Sequence, residues 1–323
     1  MVAERVETLA PHHDPAMLAE TLEHLALRGG MVVVDGTLGL AGHAIEFAAR
    51  IAPGGTLVGL DWDQSMLALA TERLGAPEGV ALQLVHTDYR GLPEVLDGLG
   101  LKADAILLDL GLNSAQIDDP ERGIAFSKEG PLDMRMDRST GEPASAMLNR
   151  LAPGEIERGL KEYGDENWAR AIAKVIVERR KSAPLRTTTD LVESVLAAIP
   201  VGARDRRIHP ATRTFQAVRI MVNGELEELE EAIAQAARSL APGGRMVVLS
   251  YHSGEDRAAK RAFRSLRREG FTELTDGPVG PTETEIRRNP RSRSAKLRAV
   301  ARDRDFSSSS ISTSPSGEPP YQG

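Results

Sequence analysis

The sequence contains no cysteine, few aromatic residues and no long apolar run. Without cysteine the chain cannot form a disulfide, use a thiolate nucleophile or hold zinc through sulfur. Aromatic residues make up 4% of the chain, too few for a surface that stacks several nucleic-acid bases. No stretch approaches the roughly 18 apolar residues of a transmembrane helix, and MVAERVETLA does not resemble a signal peptide. We therefore expect a soluble, cytoplasmic protein with no membrane partner.

The 323 residues suffice for about two domains. The formal net charge is −7, yet residues 257–304 contain 14 Lys and Arg against 6 Asp and Glu. A basic segment on an acidic body is typical of a nucleic-acid surface, although a solvated helix face can have the same composition. Residues 303–323 are rich in Ser and Pro and have little to bury, so they are predicted to form a disordered tail.

Short apolar runs alternate with helical patterns in the first third of the chain. This order predicts an α/β fold with a doubly wound, mainly parallel sheet. After Leu112 the residue pattern predicts helices and loops for about a hundred residues. The strand pattern then returns after a long amphipathic helix, which Pro242, Gly243 and Gly244 are predicted to end. The predicted strands are 31–35, 56–61, 81–85, 103–110 and 245–250, with FTELT (271–275) and AKLRAVA (295–301) near the sheet edge.

Glycines follow the first predicted strand. Gly36, Gly39 and Gly42 stand where that strand turns into a helix, and they would let a ligand approach the backbone closely. A plain tight turn would need the same residues, and the spacing is not that of a dinucleotide-binding turn. Asp61 ends the second strand, where an acid can accept hydrogen bonds from both ribose hydroxyls of a nucleoside.

Polar residues also follow the third and fourth predicted strands. Asp88 and Tyr89 could hold the edge and face of an adenine, or form a turn with a half-buried tyrosine. Asp109, Asn113 and Gln116 follow the fourth strand. Because these strand ends share one sheet edge, they favour a nucleoside ligand there. The carboxylates near them lack the spacing of a known metal motif, so no metal is predicted.

Six segments, in one order from about 13 to 302, closely resemble the RsmH (MraW) family. They are HDPAMLAE (13–20), DGTLGLAGH (35–43), DLGLNSAQIDDPERGIAFSKEGPLDMRMD (109–137), HPATRTFQAVRIMVNGELEELE (209–230), SYHSGEDR (250–257) and NPRSRSAKLRA (289–299). Members of that family are S-adenosylmethionine-dependent methyltransferases that act on N4 of a cytidine in 16S ribosomal RNA. The resemblance implies a Rossmann-like class I methyltransferase core at 10–116 and 209–302, with an inserted helical domain at 117–208 that would grip RNA.

The resemblance also implies the site. S-adenosyl-L-methionine would be the cofactor, and 16S ribosomal RNA in the assembled small subunit the partner. The implied cofactor residues are Ala41, Gly42, His43, Asp61, Tyr89, Asp109 and Gln116. Without cysteine a covalent ring adduct is unavailable, so we expect direct transfer, with Asp109 orienting the cofactor and Asn113 with backbone carbonyls accepting from the amine.

The chain departs from the family at several positions. The family usually has Gly at 41, Phe at 89, Ser at 113, Pro at 115, Phe at 251 and Leu at 254, where this chain has Ala41, Tyr89, Asn113, Ala115, Tyr251 and Gly254. His252 and Ser253 could form the far wall of a base pocket, or a capping turn around Ser253 and Glu255. Candidates for RNA phosphates are Arg213, Arg219, Arg291, Arg293 and Lys296.

Two other functions share some of these features. A nicotinamide oxidoreductase would use the same sheet and ribose acid, but it needs a dinucleotide turn that the sequence lacks. A non-enzymatic ribosome-assembly protein could keep a vestigial pocket. Its cofactor motifs would then have no reason to be retained together.

Overall fold

The computed structural model describes residues 15–205 and 207–305. The strands are β1 (Val32–Asp35), β2 (Gly55–Asp61), β3 (Val80–His86), β4 (Ala103–Asp109), β5 (Leu240–Ser250), β6 (Phe271–Glu273) and β7 (Lys296–Arg302). They form one sheet in the order β3-β2-β1-β4-β5-β7-β6. Strands β1 to β5 pair in parallel, and β7 is antiparallel to both β5 and β6. The predicted doubly wound sheet is confirmed, including the two late strands.

Helices cover both faces of this sheet and form a separate layer. They are α1 (Leu18–Leu25), α2 (Gly42–Ile51), α3 (Gln64–Leu74), α4 (Leu92–Leu99), α5 (Ser114–Asp118), α6 (Ala144–Arg150), α7 (Pro153–Gly164), α8 (Ala169–Arg179), α9 (Thr188–Ala198), α10 (Thr212–Asn223), α11 (Leu229–Arg238), α12 (Ser253–Leu266) and α13 (Glu283–Arg288). Short 3-10 helices span Tyr89–Gly91, Pro120–Arg122, Val201–Ala203, Arg267–Glu269 and Pro290–Ser294. In the described ranges no helix combines the length and apolar character needed to cross a membrane.

Alternate residues of the central strands enter two different cores. Val34 and Val58 pack with α11 and α12, whereas Val33 and Leu57 pack with α2 on the opposite face. Successive side chains of a strand point to opposite faces, so a strand covered on both sides must be apolar throughout. This explains why the predicted strands are uninterrupted apolar runs.

The predicted role of Pro242 to Gly244 is wrong. Helix α11 ends before them at Arg238, and all three residues lie inside β5. The pairing of β4 with β5 jumps from Ala103 opposite Leu240 to Ala105 opposite Arg245. The extra residues are taken up by this irregularity, which Gly243 makes possible with a left-handed φ of 82°.

The helical insertion has a core of its own. Buried residues of α6 to α9 pack with Phe215 and Val218 of α10 in a third apolar cluster. Helix α10 packs with the insertion, although it lies beyond residue 208, where the inserted domain is predicted to end. The bounds 117–208 of that domain stay predictions. The predicted tail, 303–323, lies outside the described residues from 306 onward, as does His13 of the first motif.

Candidate active site

A cleft opens at the carboxyl ends of the parallel strands, where the strand order reverses between β1 and β4. Ligands of doubly wound sheets bind at this point. The cleft contains about 1070 Å³ of empty space, a figure that includes open solvent at its mouth. Its walls come from the loops after β1, β2, β3 and β4, and from the turn after β5.

The turn after β1 lies against the sheet and is fixed by Asp61. A side chain at Gly36 would collide with Leu108, and Gly39 adopts a left-handed φ of 50°. The Asp61 carboxylate accepts hydrogen bonds from the backbone N–H of Gly39 at 2.7 Å and of Asp63 at 2.8 Å. The acid predicted to hold a ribose thus also ties the glycine turn to β2.

Three carboxylates stand at the ends of neighbouring strands. Asp61 and Asp109 line the cleft, and Asp35 lies beneath it with 1% of its surface exposed. Burial raises the pKa of Asp35 to about 7 and that of Asp61 to about 6, and repulsion by Asp61 and Asp109 adds to the rise at Asp35. Buried negative charge of this kind favours a ligand that carries positive charge.

A buried polar cluster joins two loops at one side of the cleft. Asp63 caps α3 and forms a 2.7 Å ion pair with Arg122, and Gln116 donates to Asp63 at 3.2 Å. Burial would raise the pKa of Asp63, but hydrogen bonds from Ser65 and Arg122 outweigh it and hold the pKa below its usual range. Gln116 lines the cleft as predicted. The sequence did not identify Arg122, the ion-pair partner of Asp63, because no local pattern links two residues so far apart in the chain.

Two of the predicted site residues, Asn113 and Ala41, have structural roles at the starts of helices. Asn113 lines the cleft, but its side-chain oxygen accepts from the Gln116 N–H at 2.9 Å and caps α5. Ala41 does not line the cleft. It is fully buried at the start of α2, with a left-handed φ of 59°, a conformation in which a Cβ is unfavourable.

The remaining predicted cofactor residues do line the cleft. Gly42 begins α2, and the neighbouring His43 places Nε2 3.1 Å from the Ala16 carbonyl and Nδ1 3.8 Å from Asp109 Oδ2. Tyr89 is half-buried beside Asp88, and burial raises the pKa of its phenol. Asp88 caps the short helix that contains Tyr89, so the predicted turn with a half-buried tyrosine is confirmed, and contact with an adenine stays a prediction.

The far wall is formed by Tyr251 and Glu255 rather than by His252 and Ser253. His252 caps α12, accepting at Nδ1 from the N–H groups of Gly254 and Glu255. Glu255 accepts in turn from the Tyr251 N–H at 2.7 Å. The capping alternative is therefore correct, with His252 as the cap, and the chain around it delivers Tyr251 and Glu255 to the cleft.

A second cavity lies beside the first. Both are lined by Leu110, Gly111, Leu112, Tyr251 and Glu255. Gly111 is required in this shared wall because a side chain there would overlap the Tyr251 ring. The second cavity is also lined by Arg219, Arg288, Asn289, Pro290, Arg291 and Ser294. Its outer side therefore comes from the basic segment near the C-terminus.

A partly buried ion pair connects the linings of the two cavities. Glu225 lines the first cavity and Arg219 the second, and their guanidinium and carboxylate are joined by bonds of 2.8 and 2.9 Å. Arg219, a predicted phosphate contact, is thus 14% exposed and already paired. Neither Glu225 nor Glu255 was identified as a site residue from the sequence, although both lie within quoted motifs.

One group of side chains has the spacing of metal ligands within the described residues. Ligand atoms of Glu225, His252 and Glu255 lie within 4.8 Å of one another. Arg219 already neutralises Glu225, and Glu255 already accepts backbone hydrogen bonds. These contacts disfavour binding of a cation by the three side chains. That the protein holds no metal stays a prediction.

The sheet order, its antiparallel β7 and the helical insertion define a Rossmann-like methyltransferase fold. The family model described as the MraW methylase family matches residues 10–303. The chain belongs to this family and is an enzyme, as the resemblance implied. The oxidoreductase and non-enzymatic alternatives are therefore wrong.

Curated relatives agree with this assignment. The chain is 46% identical over 307 residues to the ribosomal RNA small subunit methyltransferase H of Geotalea uraniireducens, covering 90% of this chain and 98% of the relative. It is 47% identical to the protein of the same name from Pelobacter propionicus, covering 89% and 97%. A solved rRNA methylase from Streptococcus thermophilus is similar at 12% identity and a TM-score of 0.39, covering 88% of this chain and 92% of that one.

Proposed function

We propose that this enzyme transfers a methyl group from S-adenosylmethionine to the exocyclic N4 amine of a cytidine in 16S ribosomal RNA. The carrying observation is the pair of adjoining cavities with a common wall of Leu110 to Leu112, Tyr251 and Glu255. Methyl transfer needs donor and acceptor held in contact and in line. Two cavities that meet at one wall supply a place for each.

The first cavity suits the cofactor. S-adenosylmethionine, when bound, supplies a methyl group on a positively charged sulfur. Asp61 is positioned to accept from the ribose hydroxyls, and Gly42 and His43 would line the methionine side. Asp109 lines this cavity next to Leu110 of the common wall, and its carboxylate would orient the positive charge of the cofactor. The raised pKa values of Asp35 and Asp61 fit this assignment, since a cationic ligand relieves the repulsion among them.

The second cavity suits a base turned out of its helix, as enzymes acting on bases require. The amine would lie at the common wall, beside Asp109 and Glu255. Backbone carbonyls after β4 and the amide of Asn113 are the acceptors we assign to the amine protons, although Asn113 must share its oxygen with the Gln116 N–H. The chain has no cysteine, so no thiolate adduct forms on the ring and transfer is direct.

Basic residues around the second cavity would hold RNA phosphates. Arg291 lines its mouth and is exposed, and its contact with Asp118 is a surface ion pair of 2.7 Å. Such a pair contributes little, so a phosphate can replace Asp118. Arg293 is exposed two residues further on, and Arg213 is exposed on α10. Arg219 is not assigned to a phosphate because its side chain is only 14% exposed and is already paired with Glu225.

The curated relatives carry a name that specifies ribosomal RNA of the small subunit, which supports the same substrate here. The test is mass mapping of 16S ribosomal RNA nucleosides from cells lacking this protein. One N4-methylcytidine should disappear and should return when purified enzyme and S-adenosylmethionine are added to isolated small subunits. An unchanged set of methylated cytidines would reject the proposal.

A further inference from the structure

We infer that Arg219 is a specificity-determining residue that recognises the target cytosine by donating hydrogen bonds to N3 and O2 of the base. The inference rests on the proposed function and deepens it. It assigns the recognition of the base to a partly buried guanidinium rather than to the exposed basic residues around the mouth of the second cavity.

The guanidinium of Arg219 is only half used within the protein. Nε donates to Glu225 Oε1 at 2.9 Å, and Nη2 donates to Glu225 Oε2 at 2.8 Å. This side-on arrangement leaves Nη1 and the second proton of Nη2 as a pair of parallel donors. Nη1 makes no hydrogen bond to any residue in 15–205 or 207–305. The unused edge belongs to a side chain that lines the second cavity.

The surrounding contacts fix the position of the guanidinium. Arg219 and Glu225 are 14% and 13% exposed, so neither can turn freely into water. Asn223, between them in sequence, donates to the Arg219 carbonyl and to the Met134 carbonyl at 2.9 Å each. The end of α10 is thereby tied to the loop that carries Met136 into the cofactor cleft. Glu225 is a positioning residue, and Arg219 is the group that would touch the base.

The chemistry of this cavity matches cytosine and rejects uracil. Cytosine presents an amine donor at position 4 and acceptors at N3 and O2. Arg219 offers two donors, and the Glu255 carboxylate on the common wall offers an acceptor near the amine. Uracil would place a carbonyl beside Glu255 and an N–H beside Arg219, so both contacts would become repulsive or unpaired. A partly buried charged donor left without an acceptor has an unfavourable free energy. The unused donors of Arg219 therefore favour a base that presents two acceptors, as cytosine does.

The test combines a protein variant with a base analogue. Small subunits are reconstituted with 16S ribosomal RNA that carries cytidine or 3-deazacytidine, which lacks the N3 acceptor, at the methylated position. With wild-type enzyme the analogue should lower kcat/KM by about 10- to 100-fold, the range for one hydrogen bond to a charged group. Arg219→Gln should show a similar loss on cytidine, and less than about threefold further loss on the analogue.

Two further variants complete the design. Arg219→Lys keeps the positive charge beside Glu225 but cannot present two parallel donors. It should show the same loss on cytidine and the same insensitivity to the analogue, and it takes the place of Arg219→Gln if that variant folds poorly. Arg238→Gln is the matched control. Arg238 also contacts a glutamate through its guanidinium, but on the exposed surface at the opposite end of β5, and it should respond to the analogue as the wild type does.

The outcomes separate this inference from the proposed function. Retained sensitivity of Arg219→Gln and Arg219→Lys to the analogue would overturn the role of Arg219, as would wild-type activity of both. Loss of S-adenosylhomocysteine binding in both variants, measured by calorimetry, would also overturn it, because their defect would then lie in the cofactor cleft. If wild-type enzyme methylates no cytidine amine in cytidine-containing subunits, the proposed function fails first and this inference falls with it.

Discussion

Replacing Asp35 with Asn should change how the stability of the protein depends on pH. Asp35 is buried at the end of β1, and burial raises the pKa of its carboxyl from 3.8 to about 7. Below pH 3.8 the carboxyl is protonated in the folded and unfolded chain alike. As the pH rises towards 7, the unfolded chain loses the proton first, so the stability supplied by this group declines.

The size of the effect follows from these two values. A difference between 3.8 and about 7 corresponds to about 4 kcal/mol once the pH is well above both. Between about pH 5 and about pH 8 the loss is about 3 kcal/mol. Asparagine carries no titrating proton, so Asp35→Asn should gain this amount relative to wild type over the same interval. Any fixed cost of placing an amide there cancels in the comparison.

The assay is urea unfolding followed by tryptophan fluorescence, without cofactor, at the two pH values. The free energies of unfolding of wild type and Asp35→Asn should diverge with rising pH in favour of the variant. Asp97→Asn, which removes a carboxyl at the exposed end of α4, is the control and should follow the wild-type curve. Parallel curves for wild type and Asp35→Asn would refute the argument that Asp35 ionises at a cost in the folded protein.

Three further predictions concern Asp61 in the cleft, two alanines with positive φ, and Arg291 at the second cavity. Asp61→Ala should weaken S-adenosylhomocysteine binding by about 10- to 100-fold in calorimetry. Wild-type binding should weaken as the pH falls through about 6, because the Asp61 carboxyl then becomes protonated. Equal affinities of wild type and Asp61→Ala would contradict the role of Asp61 in holding the ribose. Ala41→Gly should raise the free energy of unfolding by about 1 kcal/mol because φ is 59°, as should Ala26→Gly at φ 51° away from the cleft, and unchanged melting temperatures would argue against strain at either residue. Arg291→Gln should lower affinity for small-subunit RNA and reduce the slope of log affinity against log salt by about 1; an unaltered slope would mean that Arg291 touches no phosphate.

Much of the cleft could be predicted because strand ends are marked locally. The apolar run of β1 and the glycines after it specify a strand and a turn, and parallel pairing then brings Asp61 and Asp109 to the same edge. Asp88 and Tyr89 follow the same rule after β3. These residues all line the cleft. Their position there follows from strand order alone, because each stands at the carboxyl end of a parallel strand.

The second cavity and its guanidinium could not be predicted in this way. Arg219 has the sequence appearance of any other basic residue, and it was assigned to RNA phosphates. Its burial depends on how the end of α10 packs, through Asn223, against the loop at Met134. In the same way His252 resembled a wall residue until its cap contacts showed otherwise.

The sequence alone is enough to predict the order of strands and helices, the sheet edge where polar groups gather and the family to which the chain belongs. These properties follow from apolar period, turn residues and motif order, which are local in the chain. Which charges are paired and shielded from solvent depends on the folded chain, above all for Arg219 with Glu225 and Arg122 with Asp63. Whether a charge is solvated, paired or left facing a cavity depends on which elements pack around it, and that packing is settled only when the chain has folded.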